Sequence, residues 1–230
     1  MKKLALLLVF VGGLFSAQKE NFDNAWFMYF GNQALSPKWN WWTEAQFRNE
    51  NPQASPQQIL LRTGVGLNLS ENNDNLLLGY GYITNYGDGD LRRQTSSEHR
   101  IYQQFIHKSK WGKALIQHRF RTEQRFLDTN DFRLRGRYFL AANLPLSKQG
   151  MEAKSTYLSA YNEIFIVPES RVFDRNRIYL ALGYVLNKNT RFEIGYMDQT
   201  VITKGQSPFS PKQNQGQIQI AIFNTLNLSR

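Results

Sequence analysis

Eleven stretches of this chain alternate residue by residue between apolar and polar side chains, and the charged residues keep to one side of the alternation. A period of two belongs to β-strands, and polar clusters of Asn, Asp, Gly, Pro, Ser and Lys separate the stretches as turns would. The expected strands are Trp26–Leu35, Trp39–Arg48, Ile59–Leu69, Asn75–Asn85, Glu98–Lys108, Lys113–Phe126, Phe132–Leu146, Tyr157–Ile166, Arg177–Leu186, Arg191–Val201 and Gln215–Leu226. Most reach the roughly 9 to 11 residues with which a tilted strand crosses a bilayer, whereas strands of soluble proteins run to about 5 or 6.

The connections alternate in length, as they do where barrel strands join by short turns at one end and long loops at the other. Short ones are Ser36–Lys38, Ser70–Asp74, Ser109–Gly112 and Asn187–Asn189, and long ones Asn49–Gln58, Gly87–Ser97, Val167–Asn176 and Ile202–Asn214. Leu127–Asp131 is shorter than its class and Ser147–Thr156 longer.

Which side is charged decides the kind of barrel, because a soluble ligand-carrying barrel is apolar inside and a membrane barrel apolar outside. In the seventh stretch Phe132, Leu134, Tyr138, Leu140 and Leu144 oppose Arg133, Arg135 and Arg137. In the sixth, Arg119, Arg121, Glu123 and Arg125 oppose His118, Phe120, Thr122, Gln124 and Phe126. An arginine against lipid near the midplane costs about 2 to 4 kcal/mol, so a row of them facing outward would exceed the stability of any domain. The charged side therefore faces a lumen. Its expected lining is Arg48, Arg62, Arg100, Arg119, Arg121, Arg125, Arg133, Arg135, Arg137, Arg177 and Arg191, interleaved with Glu44, Glu98, Glu123, Glu163 and Glu193. The planar fork of arginine suits such a lining because it makes paired hydrogen bonds to several neighbours. Arg121 is expected to pair with Glu123 or Glu98. Tyr138, Tyr184, Tyr196 and Trp41, with Tyr80 and Tyr82, are the candidate interfacial anchors on the outer side.

Residues 1–17 carry two lysines, an apolar stretch from Leu4 to Phe15, and Ser16-Ala17 before polar Gln18, the layout of a secretory signal peptide; residues 18–230 form the expected barrel domain. The chain holds no cysteine, which excludes disulfides, thiol catalysis and cysteine-ligated metals. A net charge of +10 with 14% aromatic residues could mark a nucleic-acid surface, but arginines spread over many strands with carboxylates among them argue against it. Only His99, His107 and His118 could serve as catalytic bases. Glu98 and His99 fall on opposite faces and no Gly-x-Ser-x-Gly elbow occurs, so no catalytic residue is assigned, although Ser96, Ser97 and His99 lie near a loop mouth where a lipid-modifying site could sit. No metal site and no cofactor is expected.

Glu98-His99-Arg100, the run Arg119 to Phe126, Tyr161-Asn162-Glu163-Ile164-Phe165, Leu182-Gly183-Tyr184 and Gly195-Tyr196-Met197-Asp198-Gln199 together resemble the uncharacterised family known as domain of unknown function 2490. The resemblance implies a small barrel in the outer membrane of a diderm bacterium, with no activity to carry over.

The combined expectation is an all-β, antiparallel up-and-down transmembrane β-barrel of about 10 to 12 strands. It is structural or forms a narrow pore with a basic lumen; a rim-catalysed lipid enzyme and a loop-mediated adhesion barrel are the alternatives. Expected partners are outer-membrane lipid, the barrel-assembly machinery and small anionic solutes, and not nucleic acid. Even strand counts disfavour eleven, and keeping the short turns on the periplasmic side and the long loops outside favours ten strands, with Trp26–Leu35 outside the ladder, over twelve with a hidden strand in Ser147–Thr156.

Overall fold

In the computed structural model, which describes residues 24–49, 57–71, 73–87, 91, 93–168, 171–201 and 213–229, every regular element is a strand and no α-helix occurs among the described residues. The strands are β1 (Asn24–Ala34), β2 (Trp39–Asn49), β3 (Gln58–Asn68), β4 (Asp74–Tyr86), β5 (Gln94–Trp111), β6 (Ala114–Leu127), β7 (Phe132–Pro145), β8 (Ser155–Val167), β9 (Arg171–Asn187), β10 (Thr190–Val201) and β11 (Gln213–Asn224). Each pairs with its sequence neighbour in antiparallel register, and β1 closes the barrel against β11. The segment read as a signal peptide lies outside the described residues, as do most of Asn49–Gln58 and Ile202–Asn214.

The strand number corrects the preference for ten and removes the hidden strand. Residues Ser147 to Lys154 form a turn, pinned where the Ser147 hydroxyl donates to Gly150 O at 2.7 Å and Leu146 N donates to Thr156 O at 3.0 Å. The first stretch belongs to the ladder: β1 pairs with β2 on one side and, in parallel, with β11 on the other, Asn24 opposite Gln217 through Gly31 opposite Asn224. An odd number of alternating strands closes only if its first and last run the same way. Parallel closure is therefore the physical reason that eleven is allowed.

Alternation inside the strands places the side chains. Arg62, Gly64 and Gly66 of β3 are buried while Leu61, Thr63 and Val65 are exposed, and the same switch runs through Leu77 to Tyr80 of β4 and Glu98 to Gln104 of β5. The outside carries an apolar belt, with Leu180 63%, Leu78 60%, Ile194 56% and Phe120 51% exposed. That is far more apolar surface than a water-soluble protein presents. Two aromatic rings lie flat on the inner wall over glycines: a Cβ on Gly79 would fall inside the Tyr102 ring, and one on Gly183 inside the Tyr157 ring, each glycine being the cross-strand partner of its tyrosine. At a two-residue turn, Gly112 (φ +59°) joins β5 to β6 in the left-handed region that glycine enters without strain.

Candidate functional site: the barrel interior

Inward-facing side chains fill the barrel at mid-depth. Tyr102, Glu123 and Met197 are wholly buried, and Leu60, Ile83, Phe165, Gln219 and Arg121 nearly so. The charged members form a branched network. Nearest the long-loop mouth, Glu98 takes paired bonds from Arg100 (2.6 and 2.8 Å) and from Arg125 (2.6 and 3.0 Å). Deeper, Glu123 accepts from Arg135 Nε at 2.9 Å and Arg137 Nη1 at 2.7 Å. Arg137 then reaches Glu163 through Nη2 at 2.6 Å, and Glu163 also holds Arg119 at 2.7 Å with Arg177 3.6 Å away. Arg137 thus bridges two carboxylates, and cross-strand registers Arg121↔Arg137 and Phe139↔Glu163 put these groups side by side. On the other side of the lumen Glu44 accepts from Arg62 Nη1 at 2.6 Å and from Trp42 Nε1 at 3.3 Å.

Each residue expected to line the lumen lies on the inward side of its strand. Arg121 donates to Gln104 Oε1 through Nε at 2.9 Å and stands 3.6 Å from Glu123, while Glu98 is already taken by Arg100 and Arg125. Glu193 is held chiefly by tyrosine hydroxyls, Tyr157 at 2.9 Å and Tyr179 at 3.5 Å, with Arg191 Nε 4.0 Å off. Arg133 sits at the long-loop mouth, half-exposed and paired with Asp131 at 3.2 Å. Arg48 donates to Gln58 at 2.6 Å and to Gln46.

Arginines outnumber glutamates, and aromatic faces meet the surplus. Arg48 lies 3.8 Å over the Trp26 ring and Arg177 5.1 Å from it; Arg121 lies over Tyr102, Arg137 over Phe165 and Arg119 over Phe139. Each stack places a guanidinium against the electron-rich face of a ring where bulk water is excluded. These inner aromatics escaped the sequence reading, which weighed aromatics as outer anchors. The signal was present in parity alone: Trp26, Met28 and Phe30 alternate with the exposed Phe27 and Tyr29.

Below this layer a cavity of about 420 Å³ opens at the short-turn end. Asn40, Asn75, Asn143, Lys108 and Arg191 line its approach, and the Trp26, Arg48 and Arg177 stack stands at its inner limit. The Nε atoms of Arg119 and Arg191, both on its wall, have no hydrogen-bond partner within the protein. None of the three histidines enters the lumen network: His99 bonds Tyr80, His107 bonds Asp74 and His118 bonds Tyr138. No group of three His, Asp or Glu placed to hold a metal ion occurs among the described residues.

An apolar exterior around a core of ion pairs defines a closed barrel of the inside-out kind, like those of bacterial outer membranes. Residues 23–209 match the family described as "protein of unknown function (DUF2490)", and the chain belongs to that family. It is 29% identical over 176 residues to an uncharacterised protein of Methylorubrum extorquens, covering 71% of this chain and 72% of that one. Among solved structures it is similar to OmpT, an outer-membrane protein of Vibrio cholerae in its trimer form, with 14% identity and a TM-score of 0.37. The match covers 76% of this chain and spans 56% of the OmpT chain.

Proposed function

We propose that this protein spans the outer membrane as a barrel that its own ionic core keeps shut, so that it acts as a membrane scaffold rather than as an open pore. The observation that carries this reading is the complete burial of Glu123, Tyr102 and Met197 at mid-depth, with Arg121 at 2% exposure beside them. An aqueous channel would leave water-facing charge along its whole length. The apolar belt supports the membrane assignment, and the short turns then face the periplasm with the long loops outside. Purified protein added to planar bilayers is expected to give no steady unit conductance. Stepwise conductance of uniform size would overturn the reading and establish a pore.

The cavity at the short-turn end favours a second role, as a shallow cup for small anions. Lys108, Arg119 and Arg191 are the cations on its wall. Inorganic phosphate in millimolar excess is expected to raise the unfolding temperature of the parent chain and not that of Arg191→Gln. Equal shifts in both would remove the cup.

A further inference from the structure

The outer wall is not uniformly apolar. Around the middle of β9, β10 and β11 it is Leu180, Leu182, Ile194, Ile218 and Ile220. Across β5 and β6 it carries all three histidines of the chain and a cluster of amides. Gln103 of β5 and Thr122 of β6 are exposed and directly paired across the strands, with Gln124 beside them. The Thr122 hydroxyl donates to Gln103 Oε1 at 2.8 Å, Gln124 Nε2 donates to the same oxygen at 3.1 Å, and Gln103 Nε2 donates to Gln124 Oε1 at 3.2 Å. These bonds leave one N–H on each amide and one lone pair on Gln124 Oε1 unused. The histidines bond through Nδ1 alone, so each Nε2 is left over. Gln103 lies in the middle of its strand, as far from the short-turn end as from the long-loop end. Polar groups at that depth, facing lipid with unmet hydrogen-bonding capacity, are the expensive kind in a membrane protein and ordinarily face other protein.

Shape agrees. A groove of about 860 Å³ crosses this wall from Val65 of β3 to Ile166 of β8, with Leu78, Gln103, Phe120 and Gly136 lining it between them. Gly136 is the cross-strand partner of Thr122, so the hollow adjoins the amide cluster. Hollow and projection lie together, since Phe120 stands 51% exposed.

We infer that the β4 to β7 wall is a contact surface for a second copy of this chain. Two copies inserted with one sidedness relate by a two-fold axis along the membrane normal, so each residue meets its counterpart at the same depth. An amide suits that arrangement because it is at once donor and acceptor: Gln103 and Gln124 can satisfy their spare N–H and lone pair on the partner's Gln103 and the partner's Gln124. Phe120 of each copy fits the hollow over the other's Gly136. A purely apolar partner would leave every one of these groups unmet. The inference rests on the membrane-spanning reading above.

The chain's lack of cysteine makes the test direct. Gln103→Cys, oxidised in outer-membrane vesicles, is expected to yield a cross-linked species of twice the chain mass, and Ile194→Cys on the opposite wall is expected to yield none. In mild detergent the parent should scatter light as a dimer. Gln103→Leu with Gln124→Leu should run as a monomer while keeping the heat-modifiable gel mobility of a folded barrel. Equal cross-linking at both sites, a product of any other mass, or a monomeric parent would overturn the inference. Absence of the protein from the outer-membrane fraction, with no heat-modifiable band, would instead refute the membrane reading beneath it.

Discussion

Replacing Glu123 by Gln tests the ionic core where it is most enclosed. The carboxylate is fully buried and accepts from Arg135 and Arg137, with Arg121 3.6 Å away. Glutamine preserves the shape and removes the charge, which leaves three guanidinium groups in mutual repulsion around a neutral amide. Removing one partner of a buried ion pair costs about 3 to 5 kcal/mol, chiefly because the surviving charge stays buried and uncompensated. With a urea slope of about 2 kcal/mol per molar, a cost of about 4 kcal/mol lowers the unfolding midpoint by about 2 M. The assay is urea unfolding in detergent micelles, followed by tryptophan emission and by gel mobility without heating. Adding Arg135→Gln removes the orphaned charge, so the double variant should recover a large part of the loss, a coupling that non-interacting sites do not show. A single-variant midpoint equal to the parent's, or a double variant whose losses simply add, would refute the claim that these charges are buried together.

Arg121→Leu should cost less than Glu123→Gln in the same assay, about 1 to 3 kcal/mol, because its hydrogen bond is to the neutral Gln104 and its removal relieves crowding of like charge. Leu180→Arg, well inside β9, should destabilise by about 2 to 4 kcal/mol, whereas Phe132→Arg, the first residue of β7, should cost about 1 kcal/mol or less; equal costs would show that the apolar belt does not follow membrane depth. Gly79→Ala should destabilise the barrel by about 1 to 3 kcal/mol through collision with the Tyr102 ring, and Tyr102→Leu in the same chain should restore part of it. In intact cells a membrane-impermeant thiol reagent should label Asp128→Cys and spare Asn187→Cys, and the reverse pattern would invert the sidedness.

Strand positions were legible because a period of two is a local signal, and one buried face enforces it at every residue. Phe132 to Leu144 could be sorted onto two sides by parity alone. Partner choice was not legible. Whether Arg121 meets Glu98, Glu123 or Gln104 depends on the stagger between strands, which is set by the closure of the whole barrel. The closure itself leaves no mark on either terminal strand: β1 and β11 read like any others, and only their mutual direction distinguishes ten strands from eleven. Trp26 illustrates the cost of that gap. Read as a stray aromatic outside the ladder, it lies in fact within β1, enclosed between guanidinium groups from β2 and β9. The β5 and β6 histidines were placed correctly on the apolar side by parity, yet their neighbourhood emerged only from the cross-strand pairing that brings His107 opposite His118.

The parallel seam between β1 and β11 has a topological consequence. In a barrel with an even number of strands the first strand begins and the last strand ends at the same rim, so a few residues can tie them together and the chain can be re-cut elsewhere. Here Asn24 opens β1 at the long-loop rim while Asn224 closes β11 at the short-turn rim. A linker joining them must travel the height of the wall, either through an interior already filled by side chains or across the outer face. Circular permutation by a short linker is therefore barred to this fold, and reporters fused to the two ends of the ladder stand on opposite sides of whatever the barrel crosses.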